Sequence, residues 1–227
     1  GGGFTVGSND THDRMMRSVM AASGCCVIGV DYHLAPEAKF PIPLYESAAV
    51  VRFFQEHGAE YGILTDKMAL AGDSGGANLA LGVNLYLRDT PGGNDFVKAL
   101  LLYYGAFWLQ DSSSARLYGT LLDGMRKSDL AAYMSYYVNA DDMENPYFAA
   151  FLNDLSTGVP PIYMCCGSLD PLLDDTKTLE QMMKYFGVST QVDIVPGALH
   201  AFMHYGRMMP EAVECLERSG AFFKAQL

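Results

Sequence analysis

Residues 72–80, with the sequence GDSGGANLA, constrain the fold of this chain most, because they predict a strand end, a sharp turn and a helix start in immediate succession. The preceding residues 67–71 are mainly apolar, which favours a buried parallel strand, and residues 77–87 have a helix-forming composition. Ser74 lies at the apex of the turn, where flanking glycines let the strand and the helix pass closely. We therefore predict that Ser74 lies in a nucleophile elbow.

A glycine-rich turn with a central serine also occurs by chance, so its chemistry depends on its partners. A serine hydroxyl needs an imidazole to accept its proton, and the imidazole needs a carboxylate that fixes its tautomer. Asp170 follows a predicted strand at residues 162–166, and His200 follows another at residues 191–195. The order Ser, Asp, His at the ends of successive strands is typical of α/β-hydrolases. It predicts Ser74, Asp170 and His200 as a catalytic triad.

Other carboxylates and imidazoles compete for these roles. Asp174 and Asp175 are rivals of Asp170, although acidic residues are commonplace at helix starts, where the macrodipole favours them. His200 directly follows a late strand, unlike its rivals. The rival histidines are His12, His33, His57 and His204. His200 and His204 have a spacing that can bind a metal, but no H-E-x-x-H glutamate accompanies them, so we expect no metal ion. Since no phosphate-binding glycine motif occurs either, we expect no cofactor.

The rest of the chain alternates strand and helix signals. Strands are predicted at residues 25–30, 67–71, 97–104, 162–166 and 191–195. Helices are predicted at residues 11–22, 44–57, 77–87, 128–137 and 210–224. Another is predicted to begin after residue 175 and to end near residue 186. This alternation predicts an α/β fold with a mostly parallel sheet and helices on both faces. We expect a single catalytic domain over residues 1–227.

Residues 105–159 depart from this alternation and hold several aromatic side chains. Excursions at the carboxyl end of a parallel sheet usually shape the substrate site. We therefore predict that residues 105–159 form a substrate-site excursion, although ordinary core is the alternative for any single aromatic side chain there. The candidate pocket residues are Phe4, Phe107, Trp108, Leu172 and Phe202.

The composition excludes several classes of partner. The chain has 227 residues, 50% of them hydrophobic and 18% charged, with a formal net charge of -11. Nucleic acids and anionic membranes require a basic patch, so neither is expected as a partner. No apolar run approaches the roughly 20 residues that span a bilayer, and no secretory signal opens the chain, so we expect a cytoplasmic protein.

The cysteines give a prediction about redox state. Five are present, and four of them form adjacent pairs at residues 25–26 and 165–166, within predicted strands. Neighbouring side chains on a strand point to opposite faces, so neither pair is typical of a metal clip or a redox motif. We expect buried, reduced thiols, which a reducing compartment favours.

The chain opens with three glycines and Phe4, a sequence typical of the loop that donates backbone N–H groups to an oxyanion in α/β-hydrolases. The alternative is a flexible leader, but Phe4 and the residues after it fit the loop better. The residue that follows the nucleophile supplies a further donor. The predicted oxyanion hole therefore consists of the N–H groups of Gly2, Gly3 and Gly75, and losing one such donor typically costs about a hundredfold to a thousandfold in turnover.

Together these motifs resemble the hormone-sensitive-lipase-like α/β-hydrolases, and within them the bacterial acetyl esterases. The segments that carry the resemblance are residues 1–4 (GGGF), 11–14 (THDR), 31–37 (DYHLAPE), 72–76 (GDSGG), 170–175 (DPLLDD), 200–202 (HAF) and 204–209 (HYGRMM). The resemblance implies a cytoplasmic serine esterase that hydrolyses short-chain acyl esters, with the triad and oxyanion donors named above. His33 and Gly75 stand where the family often has arginine and alanine.

The resemblance also implies residues before the glycine loop, namely a helical cap and the first three strands. The third strand normally lies between the strands predicted at residues 25–30 and 67–71. Without it the chain looks like a fragment whose two sheet edges need other partners. A separate amino-terminal piece, a different strand pairing, or another copy in a homo-oligomer could fill the gap.

The complete triad favours a serine carboxylesterase that acts on small acyl esters. The alternatives are a catalytically impaired fragment and a non-catalytic binding module on the same fold. An amidase or a thioesterase would share the triad chemistry, because details of the pocket set the preferred leaving group.

Overall fold

The computed structural model describes residues 1–108 and 111–227. The strands are β1 (Met68–Asp73), β2 (Val97–Tyr103), β3 (Ile162–Gly167) and β4 (Thr190–Val195). The helices are α1 (Asn9–Ser23), α2 (Ile42–His57), α3 (Gly75–Asp89), α4 (Ser113–Leu117), α5 (Lys127–Tyr137), α6 (Leu173–Tyr185) and α7 (Pro210–Lys224). Each predicted helix is observed with its ends within two residues of the prediction, except that α6 begins at Leu173, three residues before its predicted start, and α4 was not predicted. In the described residues, no helix combines the length and the apolar character needed to cross a membrane.

The four strands form one parallel sheet in the order β1-β2-β3-β4. Leu101 of β2 lies opposite Ala71 of β1 and Tyr163 of β3. Helices connect successive strands, with α3 between β1 and β2 and α6 between β3 and β4. The predicted α/β fold is therefore confirmed, and all four strands end at the same edge of the sheet.

Helices cover both faces of this sheet, and β2 shows why. Leu100 and Leu102 are buried in one core with α2, α3 and α6, whereas Leu101 and Tyr103 are buried in a second core with α1 and α7. Successive strand side chains point to opposite faces, so a strand covered on both sides needs an unbroken apolar run. Residues 97–104 present such a run apart from Lys98, which is half-buried near the start of the strand.

The strand predicted at residues 25–30 is wrong. These residues form no strand, and within residues 1–108 and 111–227 β1 pairs only with β2. A groove of about 820 Å³ lies beside β1, lined by Ala69 and Ala71 and, from the segment predicted as a strand, by Val27 and Ile28. A strand needs a hydrogen-bonded neighbour, and the groove separates this segment from the nearest one. The groove lies between the two segments that, by the family resemblance, flank a further strand.

The prediction for the cysteines holds for one pair. Cys165 and Cys166 are buried on β3, where both faces are covered, whereas Cys25 is half-buried and Cys26 is exposed. Burial of Cys25 and Cys26 was predicted because they lie in a predicted strand, and that strand does not form. All five thiols are free.

Candidate active site

Ser74 lies in the turn between β1 and α3 with φ 54° and ψ -123°, a region that residues other than glycine rarely adopt. Its backbone N–H donates to the carbonyl of Tyr103 over 2.9 Å, which anchors the turn to the end of β2. A Cβ at Gly72 would lie 2.1 Å from the carbonyl oxygen of Gly76. Only glycine at position 72 therefore allows the strand and the helix to approach this closely, as the sequence predicted.

The structure brings Ser74, Asp170 and His200 together. His200 Nε2 lies 2.9 Å from Ser74 Oγ, and His200 Nδ1 lies 2.8 Å from Asp170 Oδ2. Asp170 is fully buried, and its Oδ1 accepts the backbone N–H of Leu172 over 2.8 Å, which fixes the carboxylate. This geometry suits proton transfer from the serine hydroxyl to the imidazole, with the carboxylate stabilising the imidazolium.

The rival carboxylates have other contacts. Asp174 accepts the backbone N–H of Ser114 over 2.8 Å, and Asp175 accepts that of Phe107 over 2.6 Å. Both therefore connect α6 to the segment predicted as the substrate-site excursion. Neither of these two contacts involves His200, whereas Asp170, in the turn before α6, lies 2.8 Å from its imidazole.

The rival histidines also lie elsewhere. His33 contacts Glu46 over 2.6 Å and His57 contacts Glu60 over 3.1 Å, both at exposed positions. The other two rival histidines, His12 of α1 and His204 of the 3-10 turn after His200, both contact the buried carboxylate of Asp73.

The glycine loop forms a tight 3-10 turn over Gly2–Phe4 that packs against the start of α3. Gly2, Gly3 and Phe4 all have positive φ, at 65°, 56° and 63°, so the turn requires conformations that glycine adopts most readily. A Cβ at Gly75 would lie 3.1 Å from the Phe4 ring. The turn therefore lies directly over the residue that follows Ser74.

The N–H groups of Gly2, Gly3 and Gly75 donate no hydrogen bond to any atom of the described residues. Backbone donors that are left free beside a nucleophile are the arrangement that an oxyanion requires. A Cβ at Gly3 would lie 2.7 Å from the Tyr133 ring of α5, so this aromatic side chain presses on the turn from outside. The sequence analysis did not single out Tyr133.

The predicted pocket residues are mostly interior. Phe4 stacks on Tyr137 with ring centroids 3.7 Å apart. Trp108 is half-buried and packs edge-on against Phe148 at 5.2 Å. The other three are buried: Phe107, Leu172 and Phe202. Their part in a substrate pocket stays a prediction.

Tyr104, at the end of β2, is a neighbour of the triad that sequence reasoning missed. Its ring packs edge-on against His200 with centroids 4.9 Å apart, and its φ is 40°. The side chain is fully buried, and burial raises the pKa of its phenol well above the ordinary range. Tyr104 thus packs against the imidazole as a neutral aromatic side chain. Its position directly after an apolar strand resembled ordinary core, so the sequence carried no distinguishing signal.

A second polar cluster, Asp73 with His12 and His204, lies on the other side of the Ser74 turn. Asp73 is 5% exposed; its Oδ1 lies 3.1 Å from His12 Nε2, and its Oδ2 lies 3.5 Å from His204 Nε2. Burial by itself opposes ionisation of Asp73, but the imidazoles of His12 and His204 favour the charged form, and the pKa of the carboxyl lies below its usual range. The contact with Asp73 raises the pKa of His12.

This cluster offers the donor set of a metal site. One atom from each of the three residues lies within 4.8 Å of the others, and two imidazoles with one carboxylate can bind zinc. Zinc bonds of about 2.0 to 2.2 Å require donor atoms closer together than about 4.4 Å, and the two carboxylate–imidazole distances of 3.1 Å and 3.5 Å meet that limit. As it stands, the arrangement is that of a carboxylate shared by two imidazoles.

The chain matches a known family and curated relatives. The alpha/beta hydrolase fold family matches residues 1–204. An acetyl esterase of Salmonella paratyphi B is 43% identical over 228 residues, and the match covers 100% of this chain and 71% of that protein. An acetyl esterase of Salmonella choleraesuis is 42% identical with the same coverage.

Solved structures extend the comparison to three dimensions. An esterase from Pyrobaculum calidifontis has a TM-score of 0.92 and 30% identity, covering 99% of this chain and 74% of its own. EstE1, a thermophilic and thermostable carboxylesterase cloned from a metagenomic library, has a TM-score of 0.93 and 27% identity, covering 100% of this chain and 78% of its own. The shared fold therefore includes nearly the whole of this chain.

Proposed function

This chain belongs to the alpha/beta hydrolase fold family as a carboxylic ester hydrolase, and we propose that Ser74 is its nucleophile and that esters of short acyl groups, above all acetyl, are its substrates. The observation that carries the proposal is His200, whose two ring nitrogens lie 2.9 Å from Ser74 Oγ and 2.8 Å from Asp170 Oδ2. A non-catalytic binding module would not need this alignment of nucleophile, base and carboxylate.

In the proposed reaction, Ser74 Oγ attacks the ester carbonyl carbon while His200 Nε2 takes the hydroxyl proton. Asp170, buried and fixed by Leu172, stabilises the imidazolium that results. The tetrahedral oxyanion accepts hydrogen bonds from the free N–H groups of the glycine turn and Gly75. His200 then returns the proton to the leaving alcohol, which gives the acyl-enzyme.

Water completes the proposed cycle. His200 takes a proton from a water molecule as the water oxygen attacks the acyl carbon, and a second tetrahedral oxyanion forms at the same donors. Its collapse breaks the bond to Ser74 Oγ, which recovers the proton from His200, and the free acid leaves. In each half of the cycle, therefore, His200 first accepts a proton and then returns one.

The proposed preference for acetyl groups rests on the relatives. Relatives that are 42% and 43% identical are acetyl esterases, and their matches span the entire chain.

The test compares hydrolysis of p-nitrophenyl acetate, butyrate and octanoate by the wild type and by Ser74→Ala. We expect turnover to decline with acyl length and to fall at least about a thousandfold in Ser74→Ala. Ser128→Ala, an exposed position at the start of α5, is the matched control and should keep wild-type rates. Hydrolysis that persists in Ser74→Ala would overturn the nucleophile, and a preference for octanoate would overturn the substrate class.

A further inference from the structure

Asp73 connects three parts of the candidate site. It directly precedes Ser74, and its carboxylate meets His204, four residues after His200. The backbone nitrogen of Gly1, next to the oxyanion turn, lies 3.5 Å from Asp73 Oδ1. Asp73 is therefore adjacent to the proposed nucleophile in sequence. Its carboxylate also contacts one residue close in sequence to His200 and one next to the predicted oxyanion donors.

We infer that Asp73, held between His12 and His204, is a positioning residue that sets the oxyanion turn and the His200 loop relative to Ser74. The inference deepens the proposed function and rests on it. Asp73 has no hydrogen bond to Ser74 Oγ or to the His200 ring among the contacts of the described residues, so it acts through its neighbours.

Burial and charge are the physical basis of the restraint that we infer. An ionised carboxylate that is 5% exposed is costly unless cationic or donor groups surround it closely. His12 approaches from α1 and His204 from the 3-10 turn Phe202–Tyr205. Movement of either element away from Asp73 would leave the charge without compensation, so the carboxylate opposes such movement.

The fit at Gly1 is equally close. A Cβ at Gly1 would lie 2.5 Å from Asp73 Oδ2, so the backbone of the turn packs directly against the carboxylate. A Cβ at Gly76 would lie 2.9 Å from the Gly1 nitrogen, so the start of α3 confines the same atoms from the other side. Because a misplacement of about 1 Å can cost about a hundredfold in rate, small shifts of this turn matter for catalysis.

The remaining histidines provide a contrast. His33 and His57 also pair with carboxylates, but those pairs are solvent-exposed and lie outside the triad and the glycine turn. Exposed pairs of this kind contribute little to structure. The Asp73 cluster differs because its carboxylate is buried and because it lies one residue from the nucleophile.

The test is Asp73→Asn, which keeps the shape of the side chain and removes its charge. With p-nitrophenyl acetate we expect kcat to fall about tenfold to a hundredfold while KM changes little. A methyl trifluoromethyl ketone, which forms a tetrahedral adduct with the serine and so depends on the oxyanion donors, should bind more weakly by a similar factor. Titration with a p-nitrophenyl phosphonate counts the functional sites, so that both values refer to folded enzyme.

Asp13→Asn is the matched control, because Asp13 is an exposed carboxylate on α1 whose partner is Arg17. It should leave kcat and inhibitor affinity unchanged. His204→Gln keeps the buried carboxylate and removes one partner, so it should show the same pattern with a smaller loss. If Asp73→Asn does not fold, His204→Gln decides the question by the same measurements.

A purely structural role would reduce the number of titratable sites and leave kcat per site and inhibitor affinity at wild-type values. That result in Asp73→Asn would overturn the inference. If Asp73→Asn does not fold, the same result in His204→Gln would overturn it. A wild type without Ser74-dependent hydrolysis would instead overturn the proposed function, so the two failures are distinguishable.

Discussion

The carboxyl edge of the sheet and the side of β1 that faces residues 25–30 differ in how closely their residues pack. At the carboxyl edge, turns after β1, β3 and β4 bring Ser74, Asp170 and His200 within hydrogen-bond distance, and the Leu172 N–H fixes the Asp170 carboxylate further. On the open side of β1, a groove of about 820 Å³ separates the strand from residues 25–30. Within the described residues, strand ends and turns thus bring the three side chains together although β1 has a paired strand on one edge only.

Asp170→Asn, at the carboxyl edge of the sheet, should cause the largest loss of activity. We expect kcat to fall about ten-thousandfold with KM nearly unchanged, because an amide cannot hold the imidazole in the required tautomer or stabilise its charged form. Steady-state hydrolysis of p-nitrophenyl acetate measures the loss. Asp174→Asn is the matched control on the same segment, and its activity should be close to wild type because an amide oxygen still accepts the Ser114 N–H. Equal losses in both variants would contradict the assignment of Asp170.

A pair of apolar truncations compares the two sides directly. Leu101→Ala in the centre of the sheet should lower the free energy of unfolding by about 2 to 5 kcal/mol, because it opens a cavity among buried side chains. Ile28 is 40% exposed beside the groove, so Ile28→Ala should change it by no more than about 0.5 kcal/mol. Urea denaturation measures both values. A loss at Ile28 that matches the loss at Leu101 would mean that residues 25–30 pack as interior.

The smallest expected effect is a pH dependence of stability at the Asp73 cluster. The folded pKa of His12 is raised, so its contribution is complete below its unfolded value of about 6.5 and is lost as pH rises through the folded value. The folded pKa of Asp73 is lowered, so its contribution is present above about 3.9 and is lost as pH falls through the folded value.

The cluster should therefore stabilise the fold most between about pH 4 and pH 6.5. His12 is half-buried and partly screened by solvent, so its share should be about 1 kcal/mol or less. Urea denaturation of the wild type and of His12→Gln across pH 5 to 9 measures this share. The difference between the two proteins should shrink as pH rises, and a constant difference would show that charge plays no part. His33→Gln, which removes an exposed histidine, is the control.

Much of the fold followed from local pattern. The apolar run at residues 97–104 predicted a strand buried on both faces, and β2 is such a strand. The glycines around Ser74 predicted a turn that only their missing side chains permit, and the 2.1 Å distance from a Cβ at Gly72 to the Gly76 oxygen gives the reason. The strand predicted at residues 25–30 was wrong because an apolar run favours a strand only where a neighbour completes its hydrogen bonds.

The sequence by itself determined the elbow, the order of Ser74, Asp170 and His200 at successive strand ends, and the family to which these motifs belong. Only the tertiary structure decided that Asp170 rather than Asp174 or Asp175 meets the imidazole, because all three acids share one short segment. It also brought His12 and His204 to Asp73. Contacts between residues far apart in the chain depend on how helices and strands pack, and neither composition nor spacing encodes that packing locally.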